Sequence, residues 1–473
     1  RSSGGQILIN PSNSYNAIVA KTNEVELYYN QQNHSTPKLK TSATGITVDG
    51  EVAASQDYPN FRPVLDFNFA AEKKLDPRIT YNRTGPASFT DEFGKLIKVG
   101  DNAPRFDHNF GTGESLGLLI EESSTNTSRY SEQTSGTLNW NQFGSTSENI
   151  IEAPDGSMTA DKLEAPSSGY GIINIAAGWT ANQPYTFSIF AKSAEWNRIG
   201  IRIYDGTSYF IRTNINLDTG ETVPGNNAAG TLKVDKFANG WWRISVSGTP
   251  VSTYSYNSRI AVEPHNTAIV QNADPSSSKE GIYIWGWQWE QKAFPTSYIA
   301  TNGADVTRGA DIVLLDDIEN EMGYNQLEGT AIADFSYTQD SDGGQTIFVF
   351  SGTESDPDNS SPRSWLRVNQ SAGTANTLRI YRNSDYNDSS ATATAGVFQK
   401  VAYAYEAGDA DVSLNGTSII DTSRTPATNI FRLSLGNIGW SLGNETTCLE
   451  GHIRRFIYYP KKLPNSQLNT LTS

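Results

Sequence analysis

The sequence contains a single cysteine, Cys448, and two methionines in 473 residues. One thiol excludes an intrachain disulfide, so packing or assembly must hold the fold. Basic residues are also short, with 36 Lys plus Arg against 51 Asp plus Glu, a formal net charge of −15, and no basic block. Nucleic acid is therefore not an expected partner, because phosphate binding needs a clustered basic face. The same acidic balance repels anionic membranes. No apolar run approaches the ~20 residues of a membrane-spanning helix, and no signal-peptide pattern opens the chain. Membrane insertion is not expected. Four histidines, His34, His108, His265 and His452, are scattered; no zinc spacing, metalloprotease helix pattern or phosphate loop occurs. Each histidine reads as a surface or capped side chain. The chain opens on Arg1 instead of Met, which predicts a fragment or a processed product with an attachment region upstream.

What is present is aromatic and turn-rich. There are 22 Tyr, 19 Phe, 10 Trp and 40 Gly, a mixture suited to short strands joined by tight turns. The chain reads as all-β, and its length calls for roughly three units. Residues 1–57 hold brief alternations, Ile7 and Ile9, then Val25, Leu27 and Tyr29, then Ile46 and Val48. Strands this few make no core alone, so the segment is expected to bury its apolar side chains against copies of itself, as a homotrimer. Residues 58–124 are punctuated by proline and read as a collar or connector.

Residues 125–310 alternate strongly through Tyr185-Thr-Phe-Ser-Ile-Phe-Ala-Lys, Arg198-Ile-Gly-Ile-Arg-Ile-Tyr, Trp241-Trp-Arg-Ile-Ser-Val and Ile282-Tyr-Ile-Trp-Gly-Trp-Gln-Trp-Glu. Turn signals such as Asp205-Gly206 and Asn239-Gly240 separate them, which predicts a β-sandwich. Residues 311–473 begin with acidic Asp316, Asp317, Glu319 and Glu321, a short helix or an exposed turn. A second alternating set then runs from Leu327 and predicts a second sandwich.

Several stretches resemble bacteriophage fibre proteins. Val25-Glu-Leu-Tyr-Tyr-Asn and Lys38-Leu-Lys-Thr-Ser-Ala-Thr-Gly-Ile-Thr-Val-Asp-Gly are similar to the repeat of fibre shafts, in which three chains wind into a β-prism. The ordered set Leu65-Asp-Phe-Asn-Phe-Ala, Leu75-Asp-Pro-Arg-Ile-Thr, Ala103-Pro-Arg-Phe-Asp and Leu116-Gly-Leu-Leu-Ile-Glu resembles a segment of tail-fibre and other virion proteins that precedes a sugar-binding-like sandwich. The strands ending in Pro295-Thr-Ser-Tyr-Ile-Ala-Thr and Val306-Thr-Arg-Gly-Ala-Asp resemble a carbohydrate-binding-module-like jelly roll. Asp411-Val-Ser-Leu-Asn-Gly-Thr, Phe431-Arg-Leu-Ser-Leu-Gly and Gly451-His-Ile-Arg-Arg-Phe-Ile-Tyr-Tyr-Pro, with Leu463-Pro-Asn-Ser-Gln-Leu, are similar to the closing strands and terminal helical turn of laminin-G or concanavalin-like domains. The expected architecture is a short β-prism shaft followed by two β-sandwich heads.

Candidate chemistry is sparse. Gly113-Glu-Ser-Leu-Gly117 has the spacing of a nucleophile elbow, which needs a helix after it and a base within reach. A strand-like run follows instead, and His265 and His452 fall in separate sandwiches, so the match reads as accidental. A glycosidase carboxylate pair is defined in space, not along the chain, and stays open. Strict alternation places Tyr283, Trp285, Trp287 and Trp289 on one strand face, which is either core or a sugar platform beside Gln288 and Glu290. Trp241 and Trp242 point to opposite faces, which buries one and leaves Trp242 as the available ring. Trp179, Trp196 and Tyr204 sit near turns or strand ends; Trp365, Tyr381 and Trp440 are their counterparts in the second sandwich. Asp340, Asp342, Asp356 and Asp358 offer oxygens of the kind calcium takes but lack EF-hand spacing, and read as solvated turns. No cofactor is expected.

The expected function is non-catalytic attachment of a virion to host surface polysaccharide or lipopolysaccharide, by a tail fibre that contacts other virion tail proteins. Alternatives are a structural decoration or capsid-surface fibre protein that binds other virion proteins, and a polysaccharide hydrolase.

Overall fold

A computed structural model of the chain describes residues 2–3, 6–9, 18–20, 25–27, 39–42, 45–48, 58–134, 140–142, 146–165, 173–222, 230–267, 276, 278–338, 344–352, 362–368, 376–382, 385–423, 427–438 and 448–473. Two compact units divide the chain, Arg1–Tyr58 and Pro59–Ser473. In the first, six strands of two to four residues follow one another in an antiparallel sheet. On strand Val25–Leu27 the alternation is inverted: Glu26 is buried, while Val25 and Leu27 are each 36% exposed.

The second unit holds two β-sandwiches, as alternation predicts, and every strand pairing in them is antiparallel. The first sandwich stacks a five-stranded on a six-stranded sheet. Phe187, Ile189, Ile199, Ile201, Ile203, Ile244, Ile260 and Val262 fill the space between them. The second sandwich stacks an eight-stranded on a seven-stranded sheet around Phe335, Phe348, Phe350, Tyr403 and Phe456. The terminal helix Asn465–Thr472 lays Leu468 over Ala402 and Ala404 on the outer face of the eight-stranded sheet. The acidic linker is a helix over Ile318–Met322, stopped by Gly323 in the left-handed conformation.

The collar expected over 58–124 is not a separate element. Strands Leu65–Asn68 and Ser115–Ile120 both pair with Gly451–Tyr459, and Thr80–Asn82 pairs with Ile312–Leu315, so this segment completes both sheets of the second sandwich. Its hairpin Ala87–Thr90/Leu96–Val99 supplies Leu96 to a cluster with Phe190, Phe237, Trp241, Trp285 and Tyr298, which covers the outer face of the six-stranded sheet.

A buried ionic cluster ties the segment to both sandwiches. Arg105 donates to Glu121 at 2.5 Å and to Asp311, Arg308 donates to Glu121, and Ser297 donates to Glu121 through its backbone N–H and hydroxyl, each at 2.7 Å. Burial alone would raise the Glu121 pKa, but Arg308 and Arg105 outweigh it and hold the carboxyl well below the usual carboxylate range.

The strand Gly281–Glu290 departs from strict alternation. Ser188 faces Gln288 while Phe190 faces Trp285, so Ile189 is opposed by both Gly286 and Trp287, a β-bulge in which Gly286 takes φ +59°. The bulge reverses the alternation. Tyr283 and Trp285 join the outer cluster, and Trp287 and Trp289 enter the sandwich interior. The four aromatics therefore do not share one face.

Candidate functional site

On the five-stranded sheet, the run Arg198-Ile-Gly-Ile-Arg-Ile-Tyr sends its isoleucines into the core and leaves Arg198, Gly200, Arg202 and Tyr204 on the outer face. Register arranges their neighbours in rows. Tyr204 faces Tyr209, Arg202 faces Arg212 and Gly200 faces Asn214 on one side; on the other, Gly200 faces Glu263 and Arg198 faces His265.

Tyr204 and Tyr209 are 39% and 41% exposed, with ring centroids 5.1 Å apart and planes tilted by 53°. The guanidiniums of Arg202 and Arg212 lie 5.7 and 5.8 Å from the Tyr209 centroid, within cation–π range. Beside them runs a polar row. Arg202 donates to Glu263, and Arg198 donates to the Asn214 side-chain Oδ1 at 3.1 Å. The other Glu263 oxygen and both His265 ring nitrogens have no hydrogen-bond partner among the described residues, and His265 Nε2 stands 3.6 Å from that oxygen. Gly200 makes room for the imidazole, since a Cβ there would lie 2.6 Å from His265 Nε2.

Glu263 and His265 are fully buried and Arg202 is buried too, so the surface a ligand meets is the tyrosine pair with the half-buried Arg212. Glu263 holds Arg202 diagonally across the strands. A tilted aromatic pair offers π-faces to the C–H face of a sugar ring, and guanidinium N–H groups donate to hydroxyl or carboxylate oxygens.

Of the residues singled out by sequence, Tyr204 lies in this cluster. Trp179, Trp196 and Trp242 are buried in the interior of the first sandwich, where no ring face is open. Trp179 packs on Trp289 and Phe210, and the Trp242 indole donates to the Leu217 carbonyl at 2.6 Å. Trp241 does point the other way, but it too is buried, in the outer cluster. Gln288 and Glu290 are fully buried as well: Gln288 accepts from the Ile299 N–H at 2.8 Å, and Glu290 accepts from Ser124 at 2.6 Å and from the Thr296 hydroxyl at 2.7 Å. Together they pin the chain after Pro295. Trp365 and Tyr381 are cross-strand neighbours on the outer face of the seven-stranded sheet, stacked at 4.7 Å and 22°, with Trp365 buried and Tyr381 half-buried. Trp440, His34, Asp340, Asp342, Asp356 and Asp358 lie outside the described residues.

His108 is buried with Nδ1 3.1 Å from the Thr90 carbonyl, the capped alternative, whereas His265 is buried with neither ring nitrogen hydrogen-bonded among the described residues and departs from the surface-or-capped reading. Ser115 begins the strand Ser115–Ile120, so a strand instead of a helix follows the elbow-like sequence. Among the described residues, no three His, Cys, Asp or Glu side chains are grouped to hold a metal ion. Tyr209, Arg202, Arg212 and Glu263 were not singled out; the alternation around Tyr204 marks Arg202 as its same-face neighbour, whereas the others come from adjacent strands.

No protein-family model matches the chain, and no curated protein matches it. Solved structures with partial likeness include the Ruminococcus gnavus IT-sialidase CBM40 bound to alpha2,3 sialyllactose, with 18% identity, 33% of this chain and 91% of that one, and TM-score 0.29. Domain 4 of AbnA, a GH43 extracellular arabinanase from Geobacillus stearothermophilus in complex with arabinotriose, has 16% identity, 35% and 73% coverage and TM-score 0.27. The SAP-like pentraxin of Limulus polyphemus has 14% identity, 31% and 70% coverage and TM-score 0.24. Likenesses this partial bear on neither mechanism nor ligand. The all-β sandwich architecture stands on the strands themselves.

Proposed function

We propose that the chain is a non-catalytic virion adhesin, a homotrimeric fibre protein that attaches to host surface polysaccharide or lipopolysaccharide through its sandwich heads. The observation that carries the glycan reading is the exposed Tyr204–Tyr209 pair with Arg202 and Arg212 beside it. Flat rings supply stacking area at low entropic cost, and the half-buried Arg212 guanidinium at their side supplies hydroxyl or carboxylate recognition, while buried Arg202 holds Tyr209 from beside it. Such a surface site is shallow, and three copies on one fibre multiply weak contacts into avidity.

Support for assembly comes from the opening strands. Val25 and Leu27 face outward from a strand whose inward residue is Glu26, which suits a sheet whose apolar face is shared between chains. Support for the virion setting is the resemblance of the ordered motifs to phage fibres. A glycan array of host envelope sugars, probed with the folded trimer, tests the proposal. Binding to host glycans supports it; absence of binding, or release of reducing ends from the polysaccharide, contradicts it.

A further inference from the structure

We infer that the crevice where the two sandwiches meet the 58–124 segment is a second saccharide site, which takes one neutral pyranose unit. This deepens, and rests on, the reading of the chain as a glycan adhesin. The crevice has a volume of about 150 Å³, far above the ~10–15 Å³ that a single water needs. Its wall is drawn from three parts of the chain: the strand Phe106–His108, the paired strands Thr231–Lys236 and Trp242–Gly248 of the first sandwich, and the strand Gly451–Tyr459 of the second. Concave ligand sites form preferentially at such junctions.

The polar groups of the wall are held in place without being used up. Arg243 Nη2 donates to the Thr296 carbonyl at 2.7 Å and to the Ser188 hydroxyl at 3.2 Å. Its Nε is buried without a hydrogen-bond partner, and Nη1 makes no hydrogen bond among the described residues. Register sets Asp235 opposite Arg243, yet Asp235 pairs with the exposed Lys233 at 3.0 Å instead. A guanidinium that lines a cavity with donors to spare is where a ligand oxygen fits.

Asp107 supplies acceptors on the same wall. Its Oδ1 accepts from the Thr90 N–H at 2.7 Å, and its Oδ2 lies 2.9 Å from His452 Nε2, so a backbone group and a ring fix the carboxylate. Two such contacts leave about half of its lone-pair sites open. Phe110, half-buried, also lines the crevice and stacks on Phe237 at 4.9 Å and 9°.

These groups select among sugars by charge. A carboxylate-bearing ring would meet Asp107 and Asp235, and a cationic one would meet Arg243 and Lys233. A neutral pyranose uses the whole wall: its hydroxyls accept from the guanidinium and donate to the carboxylate, and its C–H face rests on Phe110.

The test is a saturation-transfer NMR titration of the full chain carrying Tyr209→Ala, which disables the first site, with wild type in parallel. The probes are the methyl pyranosides of glucose, galactose and mannose, and the uronide of each. At least one neutral glycoside is expected to bind the Tyr209→Ala chain, at least fivefold more tightly than its uronide. Adding Arg243→Lys, which keeps the charge and loses the fork of donors, or Asp107→Asn, which keeps an oxygen for the Thr90 N–H, is expected to weaken that binding at least fivefold. Urea midpoints identify which of the two variants are folded. Unchanged binding in a folded variant overturns the crevice site. Glycoside binding that Tyr209→Ala alone abolishes also overturns it, and leaves the first site standing. A uronide that binds as tightly as its neutral glycoside overturns the neutral class. No glycoside binding by either chain overturns the crevice site, while the glycan array decides the adhesin reading separately.

Discussion

Trp285 and Trp287 lie two positions apart on one strand yet enter different cores, because Gly286 between them takes φ +59° and inserts a bulge. Strict alternation would have placed them side by side. The bulge lets one strand feed both the sandwich interior and the outer cluster built on Phe190 and Tyr298.

Gly286→Ala is expected to destabilise the second unit. An L-residue in the left-handed region costs about 1–2 kcal/mol, and the new Cβ would meet Phe190 at 3.1 Å and Tyr298 at 3.4 Å. Urea unfolding should show a lowered midpoint with an unchanged slope. A midpoint equal to wild type would mean that the bulge is unstrained by a side chain.

Glu121→Gln is expected to cost more. It removes the carboxylate shared by two fully buried guanidiniums, Arg105 and Arg308, and uncompensated buried charge costs about 3–5 kcal/mol. Because the folded-state pKa of Glu121 is depressed, its stabilising contribution is present above the ordinary carboxylate range and is lost only as pH falls through the depressed value. Wild type and variant should therefore converge in stability at strongly acidic pH. Urea midpoints that differ equally at neutral and strongly acidic pH would contradict this.

Glu450 shows the opposite sign. Burial first, then the neighbouring charges of Glu122 and Glu121, raise its pKa well above the ordinary value. A raised carboxyl contributes stability that is fully present below its unfolded pKa and is lost as pH rises through the folded one. Glu450→Gln keeps an oxygen for the Glu122 N–H that Glu450 now accepts, and removes the charge. The variant should match wild type at pH values below the ordinary carboxylate range and melt at a higher temperature in alkaline buffer. A variant that melts lower than wild type at every pH would refute the assignment.

Much of the fold can be read from the chain. Period-two runs such as Tyr185-Thr-Phe-Ser-Ile-Phe mark the sandwich strands, and the core takes their apolar face. The bulge is hidden because Trp-Gly-Trp-Gln-Trp keeps a period of two in either phase, so residue type does not report the reversal. The role of residues 58–124 is hidden for another reason. Leu65–Asn68 pairs with Gly451–Tyr459, nearly the whole chain away, and such non-local pairing leaves no local pattern. At the candidate site, Tyr204 was legible as an aromatic at a strand end. Tyr209 and Arg212 are brought beside it by hairpin register, and Glu263 by a strand far along the sequence. Gln288 and Glu290 misled because polar residues between tryptophans resemble a sugar-binding rim, whereas here they pin the chain after Pro295.

The most direct measurement is the affinity of the full chain for a host glycan selected on the array, compared between wild type and Tyr204→Ala/Tyr209→Ala. Removing two exposed rings from a recognition surface should weaken binding at the first sandwich by about tenfold or more, roughly 1.4 kcal/mol, while the urea midpoint stays within experimental scatter of wild type. Unchanged affinity in a folded double variant would contradict the claim that this aromatic–arginine face holds the sugar.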